Sequence, residues 1–137
     1  MNLQQLKKDL NNFNGFEVIV FGSYAAETTT PRSDIDVAII TRCPDREENK
    51  KIWLTTLGKA PEKYEVKIFE LLPLPVQISI IRNYKIVYGN SSILSEYFYY
   101  YRKLWNDIEA RYEANQFKSV KEKIAALENA KHIASSA

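Results

Sequence analysis

The 137 residues include one cysteine, Cys43, and one histidine, His132. A single thiol cannot close an intramolecular disulfide, and its isolation fits a reducing compartment. Cys43 stands just before Pro44 near a turn and reads as an incidental small residue, not a nucleophile. His132 lies in the terminal HIASSA, a stretch that reads as frayed, and carries no catalytic reading. A large charge of one sign is also missing. The formal net charge is +2, so composition makes no case for a dedicated nucleic-acid binder. No apolar run approaches a membrane span. The N-terminal MNLQQLKKDLNNF lacks the apolar centre of a signal peptide. The expectation is therefore a cytoplasmic chain with no membrane partner. There is no low-complexity tract, and the length suits one domain with a genuine core.

What is present concentrates between Phe16 and Thr41. Two β-branched runs, Val18–Phe21 and Val37–Ile40, read as buried strands. The loop between them opens with Gly22-Ser23 and closes on Asp34-Ile35-Asp36. Residues two apart on a strand point to one face. Asp34 and Asp36 therefore stand side by side, with Ile35 and Val37 on the other face. Two carboxylates so close repel unless a cation joins them, and Mg²⁺ completed by substrate phosphates is the usual one. Gly22 lets backbone approach a ligand, and a helix N-terminus after it would offer N–H groups to phosphate.

The remaining elements follow in order. Asn2–Asn12 reads as a short amphipathic helix, with Leu3, Leu6 and Leu10 at helical spacing. Ser23–Glu27 predicts a short helix, broken by Thr28-Thr29-Thr30-Pro31. An acid-rich start after Pro44 leads into a helix with Ile52, Trp53, Leu54 and Leu57 as its apolar stripe. A third strand is expected over Glu65–Leu71. A helix over Leu74–Asn83 follows, its apolar positions Val76, Ile80 and Ile81, and then a short edge strand over Lys85–Tyr88. From Ile93 onward no strand signal remains. Leu94, Tyr97, Tyr101, Leu104, Ile108 and Tyr112 form one helix face, and Phe117, Val120, Ile124 and Leu127 repeat the spacing after a possible break near Asn115. The run Tyr97–Tyr101 is no stacking platform, because adjacent helical residues point in different directions. Tyr97 and Tyr101 read as core, and the others as interface.

Gly22-Ser23, then ten residues, then Asp34-x-Asp36 resembles the signature of the DNA polymerase beta-like nucleotidyltransferase superfamily. Within it the chain is most similar to the small members called minimal nucleotidyltransferases. The match continues through Tyr64–Phe69, which resembles the strand supplying a third carboxylate, and through Leu72-Pro73 to Tyr88. Such a pairing at fixed spacing arises by chance on the order of once per thousand chains. The resemblance implies an α/β (α+β) fold: a small mixed sheet with helices packed on it over 1–90. A helical hairpin or one long helix over 91–137 belongs to the same compact unit.

It also implies a site. Asp34, Asp36 and a third acid would be catalytic and would ligate two Mg²⁺ ions, and Gly22, Ser23 and Arg32 would bind nucleotide. Glu65 and Glu70 both offer the third acid, and on a regular strand their odd separation puts them on opposite faces. The family register favours Glu65, although the family usually has Asp there. The chain departs from the pattern again at Ala26-Glu27, where the family has Arg-Gly. Arg32, or less directly Lys67, could supply the missing cation. The implied activity is transfer of a nucleoside monophosphate, AMP from ATP by default, to an acceptor hydroxyl with release of pyrophosphate. The chain would be the antitoxin of a toxin–antitoxin pair, with a helical protein partner or a homodimer formed through the C-terminal helices. A partner-binding module that neutralises a helical toxin by contact is the alternative, and an aminoglycoside-modifying enzyme a third reading.

Overall fold

The structure, a computed structural model, describes residues 2–22, 25 and 34–136, and the side chains of all these except 112, 116–119 and 128–136. The helix expected over Ser23–Glu27 lies outside the described residues, apart from Ala25. Two compact units divide the chain, Met1–Tyr101 and Arg102–Ala137.

The first unit is built on a four-stranded mixed sheet, β1 (Glu17–Phe21), β2 (Ile35–Ile40), β3 (Tyr64–Ile68) and β4 (Tyr84–Tyr88), in the order β3-β2-β1-β4. β1 pairs antiparallel with β2 and with β4. β2 and β3 are parallel, which requires a crossover, and helix α2 (Arg46–Thr56) supplies it. Strand periodicity sorts the side chains onto two faces. Val18, Val20, Val37 and Ile39 form one core with Leu6, Leu10 and Phe13. Leu6 belongs to helix α1 (Leu3–Asp9), and Phe13 to the 3-10 turn that follows. Phe21 and its partner Asp36 lie on the opposite face, as do Ala38 and Ile40. Tyr84 also pairs with Phe21, and its ring meets Phe98 edge-on at 5.1 Å. Phe98 belongs to helix α4 (Ser91–Ser136), so the start of α4 covers this second face.

Local chemistry sets the element ends. Asp45 caps α2 by accepting from the amides of Glu47 and Glu48, and Gly58 turns the chain at φ +75 just beyond it. Asn90 caps α4 by accepting from the amides of Ser92 and Ile93. Helix α3 (Leu74–Arg82) starts after Pro73 with a second proline in its first turn.

Four expectations are corrected. The third strand stops at Ile68, and Phe69–Leu71 is a 3-10 turn. The stripe on α2 meets the core only through Ile52. Trp53, Leu54 and Leu57 are exposed, whereas Asn49 is buried because its amide reaches Cys43 O at 2.9 Å. On α3, Val76 is exposed and Ile78 is buried instead. The C-terminal region is one helix with no break at Asn115. Its core residues are Leu94 and Phe98, with Tyr97 and Tyr101 half-buried beside them.

Candidate active site

Gly22 leaves β1 in a left-handed conformation, φ +69, closed to most side chains. A Cβ added there would stand 2.5 Å from Oδ2 of Asp36. Backbone and carboxylate are thus packed as tightly as a hydrogen atom at Cα permits. Asp36 pairs across β2 and β3 with Glu65, which brings these two carboxylates to the same level of the sheet. Asp34 stands two residues before Asp36 at the entry to β2, exposed, with buried Ile35 between them. Gly22 just past the end of β1, Asp36 on β2 and Glu65 on β3 therefore follow one another across the sheet, whose strands are about 4.8 Å apart.

Charge is unbalanced here. Burial pushes the Asp36 carboxyl up from its ordinary value, and the negative charge of Glu65 pushes it further, with a smaller push from Asp34. Lys67, on the same face as Glu65, partly offsets this. Its Nζ lies 3.5 Å from Glu65 Oε1. As folded, no three His, Cys, Asp or Glu among the described residues sit closely enough to hold a metal ion. The donor chemistry nevertheless suits a hard divalent cation, since Asp36 is partly buried within electrostatic reach of two further carboxylates, Glu65 and, more weakly, Asp34.

Glu70 is placed elsewhere. It follows β3 in the 3-10 turn, beside the exit of β2, five residues or about 17 Å along the strand from Asp36. There it accepts from the amides of Thr41 and Arg42 at 3.0 and 3.1 Å and from the Tyr97 hydroxyl at 2.7 Å. Its role is to close the end of the strand and hold α4. Arg42, which sequence reasoning passed over, joins this network. Its guanidinium pairs with Glu17 and lies over the Tyr97 ring at 4.5 Å. Ser23 and Arg32 lie outside the described residues, as do Ala26 and Glu27. Of the residues singled out, the fold brings Gly22, Asp34, Asp36 and Glu65 to one end of the sheet and adds Lys67.

Residues 3–132 match the nucleotidyltransferase domain family. The chain belongs to that family. This nucleotidyltransferase is 43% identical over 109 residues to a candidate protein adenylyltransferase of Methanocaldococcus jannaschii, covering 80% of this chain and 84% of the relative. Its fold is similar to a chain from a toxin–antitoxin crystal structure with AMP-PNP, at TM-score 0.60 and 16% identity, covering 83% of this chain and 94% of that one. It is also similar to a chain from the complex of tri-AMPylated Shewanella oneidensis HEPN toxin with MNT antitoxin, at TM-score 0.56 and 13% identity, covering 82% and 90%. No helix among the described residues is long and apolar enough to cross a membrane.

Proposed function

We propose that this nucleotidyltransferase transfers AMP from ATP to a hydroxyl on an acceptor protein and releases pyrophosphate. The observation that carries the reading is the row Gly22–Asp36–Glu65. It joins a close-approach backbone to an Asp36 carboxyl that is raised first by burial and then by the charge of Glu65. The adenylyl group and the protein acceptor are supported by the name of the 43% identical relative. Among the similar folds, one crystal structure contains AMP-PNP and another an AMPylated toxin.

Asp34, Asp36 and Glu65 would hold two Mg²⁺ ions. Bound there, Mg²⁺ would lower the pKa of the acceptor hydroxyl and offset charge on the departing pyrophosphate. The Gly22 amide and, from their motif positions, Ser23 and Arg32 hold the β- and γ-phosphates. The acceptor oxygen forms its bond to the α-phosphorus as the bond from that phosphorus to the bridging oxygen breaks. Glu65 would receive the hydroxyl proton. In the second unit, exposed Leu104 and Ile108 form one apolar patch and exposed Val120, Ile124 and Leu127 another, on a different side of the unbroken helix, and either could meet a helical protein partner or a second copy.

The competing reading is a module that neutralises its partner by contact, and it draws on Ala26-Glu27 standing where the family has Arg-Gly. Calorimetric titration of ATP with Mg²⁺ separates the two. The wild type is expected to bind and the Asp34→Asn, Asp36→Asn double variant to lose binding at least tenfold. If none of the four nucleoside triphosphates binds the wild type, the catalytic reading falls.

A further inference from the structure

Strand β3 carries a single basic residue, Lys67, and it stands on the carboxylate face two residues after Glu65. Its Nζ lies 3.5 Å from Glu65 Oε1. Its pairing partner on β2 is Ala38, whose methyl group leaves the space next to Asp36 to the longer lysine. The effect reaches Asp36. Burial and then Glu65 raise that carboxyl, Lys67 opposes them, and its influence exceeds that of Asp34. Other cations at the ends of these strands are engaged elsewhere. Lys63, just before β3, pairs with Asp9 at 3.5 Å, and Arg42, just after β2, pairs with Glu17.

Position decides what this cation can do. Two strand spacings, about 10 Å, separate Lys67 from the Gly22 side of the sheet. Its charge therefore falls on the acids and not on phosphates held at Gly22, and it does not replace the arginine missing at Ala26. Three carboxylates and one ammonium leave the site with two net negative charges. Two divalent ions bring four positive ones, and a nucleoside triphosphate supplies the difference.

Resting on the two-metal reading, we propose that Lys67 is a resident countercharge that makes metal loading depend on nucleotide. Its ammonium holds the negative charge of Asp34, Asp36 and Glu65 below what two divalent ions require. The site therefore takes up Mg²⁺ together with the triphosphate and not ahead of it. The lysine side chain is 38% exposed, and its ammonium is free to turn out to water when Glu65 ligates metal. Lys67 is thus a positioning residue that acts through Glu65 and Asp36 and touches neither nucleotide nor acceptor.

Titration of the full chain with Mn²⁺ alone, read from the electron paramagnetic resonance signal of the free ion, tests this. Lys67→Met keeps the aliphatic stem and removes the charge. It is expected to raise Mn²⁺ affinity about fivefold or more without nucleotide, because a cation no longer repels the ion at close range. Lys67→Gln should do the same, which guards against misfolding of the methionine variant, and Lys67→Arg should match the wild type. Lys50→Met, which removes a charge paired with Glu47 on α2, should change nothing. Asp36→Asn added to Lys67→Met should cancel the gain. ATP affinity at saturating Mn²⁺ should stay within about twofold of wild type in Lys67→Met. No gain in Mn²⁺ affinity, or an equal gain in Lys50→Met, overturns the proposal. So does a large loss of ATP affinity in Lys67→Met, which would make Lys67 a phosphate ligand. Failure of the two-metal reading would show separately, as absence of Mn²⁺ binding by the wild type with ATP present.

Discussion

Asp36 carries opposing demands. Its carboxyl is raised first by burial and then by Glu65, so the folded state holds the charged form less comfortably than the unfolded chain does. Such a group costs the fold nothing below the ordinary aspartate range, and the penalty appears as pH rises through the folded pKa. Asp36→Asn removes the charge while keeping the shape. The variant should therefore melt with the wild type near pH 3 and a few degrees above it at pH 7, while losing nucleotidyl transfer. Thermal melts at the two pH values check this. A variant less stable than the wild type at pH 7 would mean that the carboxylate is held by partners, not strained by neighbours. Trading stability for a charge cluster is common at functional sites, and Gly22, whose added Cβ would meet the same carboxylate, shows that the packing leaves Asp36 little room to relax.

At the scale of elements, β2 carries chemistry at its entry and structure at its exit. The two acids on and after β3 illustrate the division. Glu65 faces Asp36, and Glu70 accepts from Thr41, Arg42 and Tyr97 at the other end. Glu65→Gln should abolish transfer and leave the melting temperature near wild type. Glu70→Ala leaves two backbone amides and a half-buried hydroxyl without their acceptor. It should cost about 2–4 kcal/mol, while ATP binding persists under conditions where the variant is folded. Denaturant titration paired with calorimetry checks both. The distinction was only half legible in the sequence. The β-branched runs marked β1 and β2 because such side chains fit a pleated, buried surface, and the family register pointed to Glu65. But Phe69, Glu70 and Leu71 continue the strand's composition with no glycine or proline to mark the 3-10 turn, so Glu70 looked like the opposite face of one long strand. The α2 stripe failed for a different reason. Helical spacing shows which residues share a face, not how much of that face meets a core: Asn49, Ile52 and Thr56 line the inward side of α2, Trp53 sits on its flank, and Leu57 and Leu54 turn progressively further out. Phe98 reads as interface by sequence, because Tyr97 and Tyr101 fit the helical spacing of the core face, yet it has no hydroxyl to satisfy and takes the wholly buried place.

For the molecule as a whole, α4 is one helix by its hydrogen bonds, and two units share it. Up to Tyr101 it belongs to the sheet domain. Leu94 and Phe98 are fully buried, Phe98 stacks on Phe69 at 5.1 Å, and the Tyr97 hydroxyl bonds to Glu70 and Tyr101. Beyond it Trp105 is half-buried, with its indole N–H shut off from solvent, whereas Leu104, Ile108, Val120, Ile124 and Leu127 are exposed and contribute little burial energy to the isolated chain. A protein ending at Tyr101 should therefore keep a single cooperative unfolding transition with a melting temperature within about 5 °C of the full chain, a difference under about 1 kcal/mol. It should also retain Mg²⁺-dependent ATP binding, because every described site residue precedes the cut. Circular dichroism melts and calorimetry on the truncated protein measure both. A broad, non-cooperative melt would show that the first unit does not fold without the residues after Tyr101. The expected sharp one would assign the exposed apolar side chains of the second unit to a partner, leaving the first unit to fold and bind nucleotide alone.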